Sequence, residues 1–265
     1  MNILIAYYSR TGHTAELALL IAEELISMGH TVDFEKIERT VKEHRWPLLW
    51  RTQWYWGSLA IGLVSNKYRE YFIENYKIPE VAIKPLTHPD VSKYDRICIA
   101  SPKHTLLPCM IERYLRQVEG LKNKKVGYFA TWAGPPLKHF EVEHLFRPAA
   151  DRLERRGAKL VSILGLSSLY HEYYIMFIFR LFSKLRFGQR IEDFSVQSEY
   201  GIRNRTLFCN ELIQGKLDVQ ESKGWRRSYD GPGIPGIATA STITTLRLIR
   251  RLFIKYVVKG RDELM

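Results

Sequence analysis

A short apolar run from Asn2 to Tyr8 breaks off into Ser9-Arg10-Thr11-Gly12-His13-Thr14. From Ala15 to Met28, Leu17, Leu20, Ile21 and Leu25 then recur at helical spacing until Gly29. A buried strand, a loop of hydroxyls and glycine, and an amphipathic helix, in that order, leave few folds open to the chain. A phosphate placed in this loop meets backbone N–H groups at a helix N-terminus, where the helix dipole also favours an anion. The hydroxyls of Ser9, Thr11 and Thr14 can donate to it, and Gly12 lets the backbone approach closely. The plainer alternative is a helix start with ordinary Ser/Thr capping preferences. No lysine of the Walker type follows, so a triphosphate with magnesium is disfavoured.

The same plan repeats along the chain. Thr31 to Ile37 alternates as a second strand. Arg96 to Ala100, Lys125 to Thr131 and Lys159 to Leu166 are further short apolar runs, with helices expected around Ile111–Leu115 and from His144 to Arg156. Strands alternating with helices predict a parallel sheet covered on both faces. Three segments stand outside the alternation: 41–84 with Trp46, Trp50, Trp54 and Trp56; 168–194; and a tail beyond about Lys216. Connections this long inside a compact domain are usually functional or interaction surfaces.

The first loop resembles the FMN-binding signature of the flavodoxin-like proteins, with Ile5, Tyr7, Ser9, Gly12, Thr14, Ala18 and Ile21 on the pattern and Ala6 smaller than it asks. The resemblance spans roughly 1–40, 85–167 and 195–216. It implies an α/β fold: an open parallel five-stranded sheet, order 2-1-3-4-5, with helices on both faces. Residues 1–216 would form this domain, interrupted by insertions at about 41–84 and 168–194, and 217–265 would be a C-terminal extension.

In that family the loops after the third and fourth strands hold the isoalloxazine ring. Ser101-Pro102-Lys103-His104-Thr105-Leu106-Leu107-Pro108 is similar to the Ser-Pro-x-x-x-Gly-x-Pro loop of its flavin and quinone reductases, with Thr105 or Leu106 where many members carry Gly. The fourth loop is Thr131-Trp132-Ala133-Gly134-Pro135-Pro136. Trp132 is a candidate to stack on the ring, or else it packs under the sheet edge; backbone N–H groups at Ala133 and Gly134 can bond the flavin edge. The expected FMN-binding residues are therefore Ser9, Arg10, Thr11, Gly12, His13, Thr14, Pro102, Lys103, His104, Thr105, Thr131, Trp132, Ala133 and Gly134. His104 is the candidate catalytic residue, donating to a reduced flavin or relaying a proton to a substrate oxygen. Its plain alternative is an idle loop histidine.

Other motifs carry less. Gly231-Pro232-Gly233-Ile234-Pro235-Gly236 fits G-x-G-x-x-G in letters only: no buried strand precedes it, and two prolines remove donors, so it reads as a linker. His139, Glu143 and His144 can share a helix face but lack a third ligand, which argues against a metal. Cys98, Cys109 and Cys209 are too widely spaced for a disulfide framework or a cluster. Cys98 and Cys109 are read as buried small hydrophobes, although a helix start can activate a thiol such as Cys109. Asp95 and Arg96 are expected to face solvent.

Charge completes the picture. The chain of 265 residues carries 40 Lys+Arg against 28 Asp+Glu, a net +12, with 46% hydrophobic residues. That mixture excludes intrinsic disorder. Residues 41–84 contribute +3, 168–194 contribute +1 and 217–265 contribute +4, so the additions hold two-thirds of the excess. In 168–194, Ile178, Leu181, Phe182 and Leu185 make an apolar helical face with Arg180, Ser183 and Lys184 opposite. In the tail, Leu246, Ile249, Phe253 and Val257 oppose Arg247, Arg251 and Lys255. Such faces suit an anionic membrane surface, the protein's own core, or a second subunit in a homo-oligomer. The aromatic-basic run Trp50-Arg51-Thr52-Gln53-Trp54 lacks any nucleic-acid module, so nucleic acid is disfavoured. No apolar run reaches the roughly 18 residues of a membrane span, and no basic leader opens the chain. The expected location is the cytoplasm, with peripheral contact at the inner face of the membrane.

The expected function is electron transfer from a redox donor such as NAD(P)H, through FMN, to an apolar or quinone-like acceptor. Enlargement by an insertion is similar in outline to the flavodoxin-type quinone-dependent porphyrinogen dehydrogenases. The alternative is an electron carrier docking on an acidic protein partner, with a flavodoxin-shaped chain lacking cofactor as a third reading.

Overall fold

The computed structural model describes residues 1–40, 82–103, 107–132, 134–135, 145–169, 180–181, 183–184 and 187–215. The chain divides into two units, and the described residues belong to the first, Met1–Lys42 with Pro79–Pro232. The second, Glu43–Ile78 with Gly233–Met265, lies outside the described residues. So do the tryptophan-rich segment, the amphipathic tail, the glycine–proline linker and the His139/Glu143/His144 group.

Strand β1 (Asn2–Tyr7) leads into helix α1 (His13–Ser27), then β2 (Thr31–Lys36), β3 (Arg96–Pro102) and α2 (Cys109–Gln117). β4 (Lys125–Trp132), α3 (Arg147–Arg155), β5 (Lys159–Ser167), a 3-10 turn (Ile191–Phe194) and α4 (Glu199–Gln214) complete the order. All strand pairs are parallel, in the order β2-β1-β3-β4-β5, which is the flavodoxin-type arrangement.

The period of two along each strand splits the core into two layers. Ile3, Ile5, Cys98, Ala100 and Phe129 face Leu17, Ile21 and Leu25 of α1 and Phe208 and Leu212 of α4. Leu4, Ala6, Ile97, Ile99, Tyr128 and Ala130 face Met110, Ile111, Tyr114 of α2 and Ala149, Ala150, Leu153 of α3. Gly127 is needed for this packing: a Cβ there would lie 2.7 Å from the Phe208 ring.

Each sheet edge is met by a neighbouring segment at a few points, although β2 itself stays largely exposed. Beyond β2, the buried Glu35 carboxylate accepts the backbone N–H groups of Thr87 and His88, and the Tyr94 hydroxyl donates to Asp33 at 2.7 Å. Beyond β5, Ser167 forms a parallel bridge with Ser195.

Residues 38–40 and 82–84, at the two ends of the expected insertion, pair with each other as a neck. Arg39 bridges Ile83 antiparallel; Thr40 N–H donates to the Ala82 carbonyl and Lys84 N–H to that of Glu38. Residues 82–84, expected inside the insertion, therefore form part of the folded unit.

Two surface expectations are corrected. Arg96 does not simply face solvent: its guanidinium donates to the Leu212 and Ile213 carbonyls at the end of α4. Asp95 remains exposed but accepts the Asn2 N–H. In the 168–194 segment one pair departs from the expected faces among the described residues: Leu181 is 50% exposed and Ser183 is fully buried, whereas Arg180 and Lys184 are exposed as expected. Ser183 tolerates burial because its hydroxyl donates to the Gln189 carbonyl as the chain turns back.

Candidate functional site

In an open α/β sheet, ligands bind beyond the carboxyl ends of the strands, where the winding direction reverses. Here that point lies between β1 and β3, and the strand register sets the loops side by side. Tyr7 is level with Ala100, and Pro102 with Thr131. The pairing runs on past the strands: Tyr8 N–H donates to the Ala100 carbonyl and Lys103 N–H to that of Thr131, at 2.9 and 2.8 Å. The first, third-strand and fourth-strand loops thus start at one edge.

The first loop is built to leave a helix start open. Gly12 sits at φ +95°, a conformation that favours glycine, and a Cβ there would meet nothing within 4 Å. Its N–H donates to the Ser9 hydroxyl at 3.2 Å, and its carbonyl takes the first helical bond, from Glu16. Among the described residues no side chain caps α1. The ordinary Ser/Thr-capped start is therefore not what the chain adopts. α1 begins at His13 rather than Ala15, so its first N–H groups open on the loop. Thr11 is exposed, and Arg10 and His13 are half-buried.

Thr14 plays a different part from the other hydroxyls. It is 1% exposed, and its Oγ1 lies 2.8 Å from Oγ1 of Thr131. The start of α1 is therefore tied to the end of β4, two loops expected to hold opposite ends of one ligand. Ser101, which opens the third-strand loop, is also buried and shares a 2.7 Å hydrogen bond with the Tyr128 hydroxyl. Burial pushes that phenol upward from its ordinary value, so Tyr128 acts as a fixed polar contact rather than a titrating one.

Lys103 and Trp132 form a pair. Both are 7% exposed, and the Lys103 ammonium stands 4.4 Å from the centre of the Trp132 ring. One face of the buried Trp132 ring is occupied by this cation. Pro102 closes β3 beside Thr131. Gly134 lies just past β4 and is described, whereas His104, Thr105 and Ala133 lie outside the described residues.

Residue reading missed Arg39. It leaves the neck of the insertion to donate to Met110 Sδ at 3.2 Å and Cys109 Sγ at 3.7 Å, with its guanidinium carbon 6.0 Å from the Tyr8 ring centre. No sequence pattern links position 39 to position 109; only the sheet order brings them together. Cys109, at the start of α2, is half-buried and not fully buried as expected. Cys98 and Cys209 are buried, and desolvation raises the Cys98 thiol well above its ordinary range, with neighbouring Cys209 adding to the effect. Among the described residues no group of three or more His, Cys, Asp or Glu could hold a metal ion, and no helix is long and apolar enough to cross a membrane.

No protein-family model matches the chain, and no curated protein matches it. Solved structures do. It is similar to a flavoprotein from Lactobacillus acidophilus in complex with FMN, at 21% identity over 62% of this chain and 92% of that one, with a TM-score of 0.40. It is similar to oxidised flavodoxin 2 from Bacillus cereus at 19% identity, over 81% and 99% of the two chains, with a TM-score of 0.42. A third is two-electron reduced flavodoxin from Megasphaera elsdenii, at 16% identity over 64% and 88%, with a TM-score of 0.36.

Proposed function

We propose that this sheet edge binds FMN non-covalently and that the protein is an FMN-dependent oxidoreductase. The single observation that carries the reading is the uncapped start of α1 beside Gly12, set at the winding reversal of a 2-1-3-4-5 sheet. The residues fit the group. A phosphate needs convergent N–H donors and a side-chain-free approach, which α1 and Gly12 offer; Ser9, Arg10, Thr11 and His13 add hydroxyls, a guanidinium and an imidazole to the same loop. Thr131, Trp132 and Gly134, with Pro102 and Lys103, would line the ring. His104, Thr105 and Ala133 belong to the same two loops by sequence. When bound, the flavin supplies electron or hydride transfer; the protein supplies phosphate capture, ring placement and the local charge.

The reading extends to a redox donor such as NAD(P)H and an apolar or quinone-like acceptor, with His104 as proton relay. The basic, aromatic additions support an acceptor or membrane-surface side of the protein. The net charge of +12 argues against simple carrier duty unless the partner is acidic. An absorption spectrum and an FMN titration of the purified chain test the core claim. A flavin band, or saturable uptake with riboflavin binding more weakly, is expected; neither band nor uptake would overturn it. Turnover of a quinone with NAD(P)H is then expected. Rapid exchange with a protein donor and no turnover would favour the carrier instead.

A further inference from the structure

An ammonium group is strongly hydrated, so a lysine buried at a ligand edge needs a reason. Lys103 is 7% exposed, and its Nζ lies 4.4 Å from the centre of the Trp132 ring, within reach for a cation–π attraction to the face of an indole. Its backbone N–H continues the β3–β4 ladder onto the Thr131 carbonyl, and Thr131 is in turn bonded to Thr14. The base of this side chain is therefore set by the sheet rather than by the following loop, and its head lies against Trp132 at the end of the neighbouring strand. On the FMN reading, this places a positive charge among the residues that would line the ring.

A charge so placed acts on a redox equilibrium. Two electrons and one proton, the content of one hydride, convert neutral oxidised isoalloxazine to a reduced ring bearing one negative charge. A fixed cation nearby favours the second state over the first. We propose that Lys103, held on the face of Trp132, is the residue that makes this site prefer reduced, anionic flavin. The protein would then be an easily reduced electron acceptor, suited to taking hydride from a donor, rather than a low-potential carrier. This rests on the FMN reading above and adds the electrostatic character of the ring subsite.

The test uses the full-length chain and FMN itself. Dissociation constants for oxidised FMN and for FMN reduced beforehand, the latter measured without oxygen, are compared for wild type, Lys103→Met and Lys103→Arg. Wild type is expected to bind the reduced form at least as tightly as the oxidised one. In Lys103→Met the ratio of reduced to oxidised affinity should fall about tenfold or more, as expected for one charge within several ångströms at an effective dielectric near 20. Lys103→Arg, which keeps the charge and can also lie on an indole, should retain the ratio. Because the ratio is formed within each variant, a general loss of folding or of binding cancels. An unchanged ratio in Lys103→Met, or an equal fall in Lys103→Arg, overturns the inference. Uptake of neither form by the wild type overturns the FMN reading beneath it, a different result from a bound flavin whose ratio Lys103 does not move.

Discussion

Two threonines, 117 residues apart in sequence, share one buried hydrogen bond at the centre of the site. Replacing either Thr14 or Thr131 by Val leaves the other hydroxyl buried without that partner. Each single change should cost about 1–3 kcal/mol in urea unfolding. The double Val variant should lose less than the sum of the singles, because no lone hydroxyl remains. Additive losses would show that the two hydroxyls act separately. Glu38, in the neck, offers a second residue-scale measurement. Hydrogen bonds and ion pairs with Lys36 and Lys84 hold its carboxyl down at about 2. A depressed folded value means that the carboxylate's contribution is present above the ordinary value near 4.5 and is lost as pH falls toward about 2. A carboxyl NMR titration should place its midpoint low, and Lys84→Gln should move it upward. The pairs are exposed, so added salt should shift it in the same direction.

At the scale of elements, helices are fastened to the sheet by side chains reaching their ends. Arg96 caps the carbonyls of Leu212 and Ile213, and Arg156 donates to the Leu115, Arg116 and Val118 carbonyls at the end of α2. Arg152 of α3 pairs with Glu112 of α2, which also meets Arg116. Arg96→Met should therefore lower stability by about 1–3 kcal/mol, as terminal carbonyls lose charged donors. Hydrogen exchange should locate the loosening in the last turn of α4, and no change there would remove Arg96 from that role. The strands and the end of α1 were legible in sequence because apolar runs and a glycine stop are local signals. The role of Arg96 was not. A basic residue opening a strand looks like any solvated charge until α4, more than a hundred residues later, is laid against it.

For the whole molecule, the placement of charge matters more than its total. Two-thirds of the net +12 lies in the three segments that the sequence sets outside the strand–helix alternation. If those segments meet lipid, the full chain should bind anionic vesicles at low salt and release them as ionic strength rises, while neutral vesicles stay unbound. Vesicle sedimentation at two salt concentrations measures this. Equal binding to neutral vesicles, or none to anionic ones, would assign the charge to a protein partner. The described part of the 168–194 segment gives a warning at this scale. Helical periodicity set Leu181 on an apolar face opposite Ser183; in the fold Leu181 is 50% exposed and Ser183 is buried, since a local hydroxyl–carbonyl bond removes the penalty for burying serine.

The sequence alone determined the alternation of strands and helices, the parallel sheet and the glycine-bounded loop, because periodicity, turn chemistry and helix starts act over a few residues. The tertiary structure decided that α1 goes uncapped, that Thr14 belongs to Thr131, that Lys103 lies on Trp132, and that Arg39 reaches Cys109 and Met110. Each of these contacts depends on strand register and sheet order, and neither is written in any short stretch of the chain.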